Sequence, residues 1–102
     1  MKNVAILLDP TDNVATALQE LKAGETVTVM LEDVTYTVVL RDDIPFGHKY
    51  ALRDIPKGTE LLKYGLPIGQ ALEDMRAGDW VHVHNCRSEH FGTRHEKYGV
   101  HA

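Results

Sequence analysis

Residues 71–83 read ALEDMRAGDWVHV, and they largely repeat residues 17–29, which read ALQELKAGETVTV. Six of the thirteen aligned positions are identical, and most of the others are conservative. A shorter form of the pattern recurs at residues 55–61, IPKGTEL. In each copy a glycine, which takes backbone conformations that other residues resist, precedes a strand. The pattern indicates either a true internal repeat or ordinary helix–glycine–strand junctions, and in both cases it predicts a compact fold of short strands.

Three further segments are predicted to be strands. Residues 4–8 form a short apolar run that Asp9-Pro10 closes, which is typical of a buried strand. Residues 26–31 and 35–40 are rich in valine and threonine and alternate in polarity, so they predict a pair of strands. Glu32-Asp33 between them predicts a tight hairpin turn.

One amphipathic helix is predicted ahead of this hairpin. Thr11 or Asp12 can cap its start, and Gly24 is suited to end it. Its apolar face follows the i, i+3, i+4, i+7 spacing, with Val14, Ala17, Leu18 and Leu21. The fold class predicted from these patterns is mainly β with short helices.

Composition limits the classes of partner. The chain has 102 residues, of which 43% are apolar and 25% charged, and we assign residues 1–85 to one domain. Residues 86–102 lack periodicity and are predicted to be a tail that is flexible or docks on a partner. The net charge of −4 without a Lys/Arg cluster does not favour nucleic acid, and no apolar run approaches the ~20 residues of a membrane span.

The single cysteine, Cys86, rules out an internal disulfide and favours a reducing compartment. We therefore expect a cytoplasmic protein. A nucleophilic Cys86 would need a histidine base such as His84 or His48. No supporting motif surrounds Cys86, so this is a minor alternative.

Two histidines near the end of the domain are the first candidate site. His82 and His84 are two residues apart on a predicted strand and so share one face, while Val81 and Val83 face the core. This spacing suits two ligands of one metal ion, with His48 or Asp42 as a third, but it also suits an ordinary half-exposed strand. In the first copy of the repeat the positions of His82, His84 and Asn85 carry Thr28, Met30 and Leu31.

Gly47-His48-Lys49 is the second candidate site. A histidine that follows a flexible glycine can present an acid–base group, and the adjacent lysine can bind a carboxylate or phosphate. The same tripeptide is also compatible with a plain surface loop.

The order of several motifs is distinctive. GHK at 47–49 runs into ALRDIPKG at 51–58, KYG at 63–65 and PIG at 67–69 follow, and GDWVHVHN at 78–85 ends the series. Over residues 3–85 the chain resembles the amino-terminal SAF domain of the altronate and galactarate dehydratase family, which has the β-clip fold. Members of that family dehydrate sugar acids and use a divalent metal, usually iron or manganese.

The resemblance also implies a partner. In many members this domain is fused to a large catalytic region, whereas in (2R)-sulfolactate sulfo-lyase it is the separate alpha subunit. It implies that this chain is the small subunit of a hydro-lyase, inactive alone, which meets a sugar-acid substrate together with a large catalytic subunit. A carbon–sulfur lyase acting on a sulfonate is the first alternative, and the chain could also form a homo-oligomer.

The resemblance assigns candidate roles to five residues. His48 and His84 would be catalytic, Lys49 and Asn85 would bind the substrate, and His82 with His84 would be candidate metal ligands. Two non-enzymatic alternatives remain open: a sugar-acid-binding or scaffold module, and a small metal-binding protein that uses His48, His82 and His84.

Overall fold

The computed structural model describes residues 3–82 and 85–87, and in these residues every regular element is a strand. The strands are β1 (Ala5–Ile6), β2 (Val14–Ala17), β3 (Thr26–Leu31), β4 (Val34–Val39), β5 (Lys49–Ala51), β6 (Glu60–Lys63), β7 (Leu66–Ala71), β8 (Trp80–Val81) and β9 (Cys86–Arg87). The mainly β, β-clip class predicted from the sequence is confirmed. Within the same residues, no helix has the length and apolar character needed to cross a bilayer.

All the strand pairs are antiparallel. The main sheet has the order β1-β2-β5-β8, the small sheet has the order β6-β7-β9, and β3 and β4 form a separate hairpin. The hairpin closes through Glu32-Asp33 with the register Leu31↔Val34, as its alternating sequence predicts. Glu32 adopts a φ of 55°, which the tight turn requires.

The helix predicted to begin at Thr11 or Asp12 is wrong, because residues 14–17 form strand β2. β2 lies in the middle of the main sheet, between β1 and β5, and three of its four residues are buried. Ala15 and Ala17 belong to one hydrophobic cluster and Val14 to another. A strand buried on both faces has no polar alternation, so its apolar residues matched a helical spacing by coincidence.

The repeat seen in the sequence is real, but it consists of turns rather than of helix ends. Four eight-residue copies occur, at 17–24 (ALQELKAG), 40–47 (LRDDIPFG), 51–58 (ALRDIPKG) and 71–78 (ALEDMRAG). Their final glycines all have φ between 83° and 94°. From the sequence alone, residues 41–47 are predicted to be a loop, and the structure shows that with Leu40 they form the second copy of the repeat.

The four copies associate in two pairs. Leu21 and Ile44 form a two-way backbone bridge with N···O distances of 2.9 and 2.8 Å, and Ile55 and Met75 form an equivalent bridge. Aspartates at the fourth position of three copies accept a hydrogen bond from the backbone of the paired turn: Asp43 from Ala23, Asp54 from Ala77 and Asp74 from Lys57. We call these elements the paired turns.

Two adjacent buried polar residues attach the β6–β7 hairpin to the main sheet. The Asp12 carboxylate accepts hydrogen bonds of 2.8 Å from the backbone N–H groups of Tyr64 and Gly65. Asn13 accepts one from the Leu62 N–H and donates one to the Glu60 carbonyl. Tyr64 has a φ of 61°, so the Asp12 carboxylate stabilises a turn that a non-glycine residue rarely adopts.

Tyr50 on β5 is fully buried, and its hydroxyl has no hydrogen-bond partner within the described part of the chain. We expect Tyr50→Phe to raise the free energy of unfolding by about 1 kcal/mol at pH 7, because the cost of burying an unpaired hydroxyl disappears. Urea denaturation measures the change. Tyr64→Phe, at an exposed tyrosine, is the control and should have little effect.

Tyr50→Phe should also change how stability depends on pH in the alkaline range. Burial raises the pKa of Tyr50 to about 12, above the value of about 10 in an unfolded chain. Ionisation of Tyr50 therefore does not affect the stability of the domain below pH 10, and it lowers that stability as the pH rises through 12, by about 3 kcal/mol. Tyr50→Phe should lose less stability than the wild type between pH 10 and 12, and an identical loss would contradict the assignment.

Candidate functional site

The paired turns place His48 at the beginning of strand β5. The His48 backbone N–H donates to the Pro45 carbonyl at 3.0 Å, and the His48 carbonyl accepts a hydrogen bond from the Ala17 N–H at 2.8 Å. Gly47 donates to the Ala17 carbonyl at 2.9 Å. His48 is thus held by both the turn that precedes it and the end of β2. Phe46, two residues before His48 in the same turn, is 70% exposed.

A second turn places Trp80 at the beginning of β8, opposite Tyr50 of β5. The backbone N–H of Trp80 donates a hydrogen bond of 3.0 Å to Asp42 Oδ2. The Trp80 carbonyl accepts a hydrogen bond of 2.7 Å from Asn85 Nδ2. Arg41 Nε and Asp79 Oδ1 lie 2.8 Å apart and join the same two segments. The backbone of Trp80 is therefore fixed from both sides.

His48, Trp80 and His82 form one group of rings, which we call the aromatic cluster. Trp80 Nε1 donates a hydrogen bond of 3.2 Å to His48 Nδ1. The ring of His82 stacks on Trp80 with centroids 4.7 Å apart and on His48 with centroids 5.2 Å apart. The structure thus brings together two histidines that are 34 positions apart in the sequence, since 82 minus 48 is 34.

Asn85 is buried, and it is hydrogen-bonded to the backbone of His82. Asn85 Oδ1 accepts a hydrogen bond of 2.9 Å from the His82 N–H, and the Asn85 N–H donates to the His82 carbonyl at 3.0 Å. With the bond to Trp80, the amide orients two members of the aromatic cluster. Substrate binding by Asn85 stays a prediction.

Lys49 lies on the opposite face of the main sheet from the aromatic cluster. It is paired with Val81, which belongs to the second hydrophobic cluster, whereas Tyr50 and Trp80 belong to the first. Burial and the neighbouring Lys63 ammonium lower the pKa of Lys49. The adjacent residues His48 and Lys49 therefore lie on opposite faces of the main sheet. Carboxylate binding by Lys49 stays a prediction.

Cys86 on β9 packs against the second hydrophobic cluster. Burial raises the pKa of its thiol, and the Lys49 ammonium opposes this shift only in part. A nucleophilic cysteine needs the opposite shift, because the thiolate is the reactive form. The environment of Cys86 is that of a structural residue.

The described residues offer few clustered donor atoms to a metal ion. They contain no group of three histidine, cysteine, aspartate or glutamate side chains able to hold a metal ion. Nδ1 of His48 accepts the indole N–H of Trp80, and the described residues supply no three-ligand set, so they do not form a metal site by themselves. His84 and Val83 lie outside the described residues, and the metal-ligand and catalytic roles predicted for His84 stay predictions.

Trp80 is the member of the aromatic cluster that the sequence analysis did not select as a candidate site residue. A signal for it was present, because Trp80 and His82 are two residues apart and so share a strand face. Val81 between them is buried, as that alternation predicts. What the sequence could not supply was the contact with His48, which depends on the pairing of β5 with β8.

The family model described as "Altronate/galactarate dehydratase SAF domain" matches residues 3–89. The chain is 51% identical over 83 residues to altronate dehydratase of Escherichia coli strain K12 and 40% identical over 78 residues to its galactarate dehydratase (L-threo-forming). These matches cover 81% and 74% of this chain but only 16% and 14% of those two enzymes. The chain therefore spans about one sixth of the length of these dehydratases.

A second kind of relative is much shorter. The chain is 36% identical over 87 residues to the (2R)-sulfolactate sulfo-lyase subunit alpha of Chromohalobacter salexigens. This match covers 82% of the chain and 93% of that subunit. The same domain therefore occurs both as one segment of a long enzyme and as nearly the whole of a named subunit.

Proposed function

Because the chain belongs to the altronate/galactarate dehydratase SAF domain family, we propose that it is the small-domain component of a carbon–oxygen lyase that dehydrates a sugar acid such as altronate or galactarate. It acts with a separate large catalytic subunit that corresponds to the other five sixths of the long relatives. The 51% identity to altronate dehydratase supports altronate as the first substrate to test. The single cysteine supports a cytoplasmic enzyme.

The observation that carries this proposal is the aromatic cluster. Two turns of the repeat place His48 and Trp80 on neighbouring strands, and the loop held by Asn85 adds His82. Imidazoles arranged in this way can bind and polarise the oxygen atoms of an acid substrate. Since the cluster lacks a complete set of catalytic groups among the described residues, we propose that the large chain completes the site.

The roles that we propose for this chain and for the large chain follow from the chemistry of elimination. Removing a proton next to a carboxylate creates negative charge on the carboxylate oxygens, and nearby hydrogen-bond donors stabilise that charge. His48 is the donor that we propose for this chain. A divalent metal, iron or manganese, would supply Lewis-acid chemistry in the complete enzyme, and we propose that the large chain holds it.

The sulfo-lyase alternative is favoured by one observation, the 93% coverage of the alpha subunit. In that case the complex would release sulfite from a sulfonate rather than water from a sugar acid. The small domain would stabilise the same negative charge in both reactions, because both begin with removal of a proton next to a carboxylate.

A chimera separates the two reactions. We expect that replacing the 83-residue matched segment of the E. coli altronate dehydratase by the corresponding residues of this chain yields an enzyme that eliminates water from altronate. Water elimination and sulfite release are measured on the same preparation, with the unmodified dehydratase as the positive control. The dehydratase without its matched segment is the negative control and should lack activity.

A folded chimera that eliminates neither water nor sulfite would contradict the lyase proposal. Tight binding of a sugar acid by the isolated chain, measured by calorimetry, would in that case favour the binding or scaffold module. Sulfite release without water elimination would favour the carbon–sulfur lyase.

A further inference from the structure

We propose that Trp80 is a positioning residue that fixes the neutral His48 ring as the Nε2–H tautomer, so that His48 offers the substrate a hydrogen-bond donor and not a basic lone pair. The proposal about the tautomer concerns this chain alone. The statement about the substrate rests on the proposed function.

The first step is the direction of the hydrogen bond between the two rings. The indole nitrogen of tryptophan can only donate, so His48 Nδ1, 3.2 Å away, must accept with its lone pair. The ring proton of neutral His48 is then on Nε2. A doubly protonated ring would set two N–H groups against each other at this contact.

The second step is that the His48 ring is held in place. Its backbone is bonded to Pro45 and Ala17, and its ring lies at an interplanar angle of 22° to His82. Trp80, the donor, has its own backbone bonded to Asp42 and Asn85. These backbone contacts hold both the donor and the acceptor in place, so their hydrogen bond is built into the fold.

The third step is the consequence for chemistry. A histidine that binds a metal usually donates its remaining ring N–H to an oxygen acceptor, which leaves the other nitrogen free for the metal. His48 has the opposite arrangement, since its inner nitrogen accepts and its outer nitrogen carries the proton. Such a ring is suited to polarise a carboxylate or enolate oxygen and is not suited to remove a proton from carbon.

Nuclear magnetic resonance of the ¹⁵N-labelled full chain tests the tautomer without any partner. We expect the two-bond ¹H–¹⁵N correlations to show a protonated Nε2 and an unprotonated Nδ1 for neutral His48. The His48 signals are identified by their loss in His48→Asn, and the chain's one tryptophan gives one indole signal. A wild-type spectrum with a protonated Nδ1 would overturn the proposal, whatever the outcome of any activity assay.

The variant Trp80→Phe tests the cause. It keeps an aromatic ring for stacking and removes the N–H, so we expect the ratio of Nε2–H to Nδ1–H to fall about fivefold, the effect of one hydrogen bond of about 1 kcal/mol. Tyr36→Phe, which removes a hydroxyl that bonds to Arg53, is the matched control and should leave the ratio unchanged. An unchanged ratio in a folded Trp80→Phe chain would show that Trp80 does not set the tautomer.

Discussion

Gly78→Ala is expected to lower the free energy of unfolding by about 2–5 kcal/mol, the sum of about 1–2 kcal/mol for a left-handed backbone and about 1–3 kcal/mol for overpacking. Gly78 has a φ of 94°, which disfavours every other residue. An added Cβ would overlap the Val39 carbonyl oxygen and lie 3.0 Å from the Arg41 backbone nitrogen. Backbone atoms cannot move away as a flexible side chain can, so the two costs add. Urea denaturation followed by circular dichroism measures the loss.

Gly24→Ala is the matched control for this prediction. Gly24 ends the first copy of the same repeat and has a nearly equal φ of 92°, but an added Cβ would meet no atom within 4 Å. We expect a loss of only about 1–2 kcal/mol, from the backbone conformation alone. Equal losses in the two variants would mean that the close approach of Gly78 to the β4 end is not a constraint on the fold.

His48→Asn is expected to lower kcat of the chimeric enzyme by about 10²–10³-fold, the typical effect of removing one donor that stabilises an oxyanion. Asparagine can still accept the Trp80 hydrogen bond near the Nδ1 position, but it has no group at the position of Nε2. The stability of the domain should therefore change little, and water elimination from altronate gives the rate.

His48→Gln distinguishes a donor from a base. The longer amide can place an N–H near the Nε2 position, so we expect it to recover part of the lost rate. A base cannot be replaced by either amide, since neither takes up a proton near neutral pH. Equal and complete loss in the two variants would therefore assign His48 as the base and contradict the donor role.

The parts of the fold that could be predicted from sequence are those set by local patterns. The β3–β4 hairpin follows from alternation and from a two-residue turn, and Val81 is buried as its neighbours indicate. Strand β2 could not be predicted, because burial on both faces removed its alternation. The second copy of the repeat was missed because its glycine follows Pro45 and Phe46, which resemble an ordinary loop.

The candidate site was predictable only in part, for a similar reason. The resemblance assigned roles to both His48 and His82, whereas their separation in the sequence does not predict that the two rings are in contact. Lys49 was grouped with His48 because the two are adjacent, but adjacent residues in a strand face opposite sides. The contact of Trp80 with His48 depends on which strands pair, and this is decided by the whole core.

The paired turns also bear on how the chain folds. The four copies are similar enough that each could form its backbone bridge with a wrong copy. Along the chain, fewer residues separate 40–47 from 51–58 than from its true partner, 17–24. Loop-closure entropy discriminates weakly, since doubling a loop costs only about 0.6 kcal/mol. Correct pairing must then be selected by packing of the two hydrophobic clusters, late in assembly. We therefore expect a slow refolding phase in which near-equivalent partners exchange.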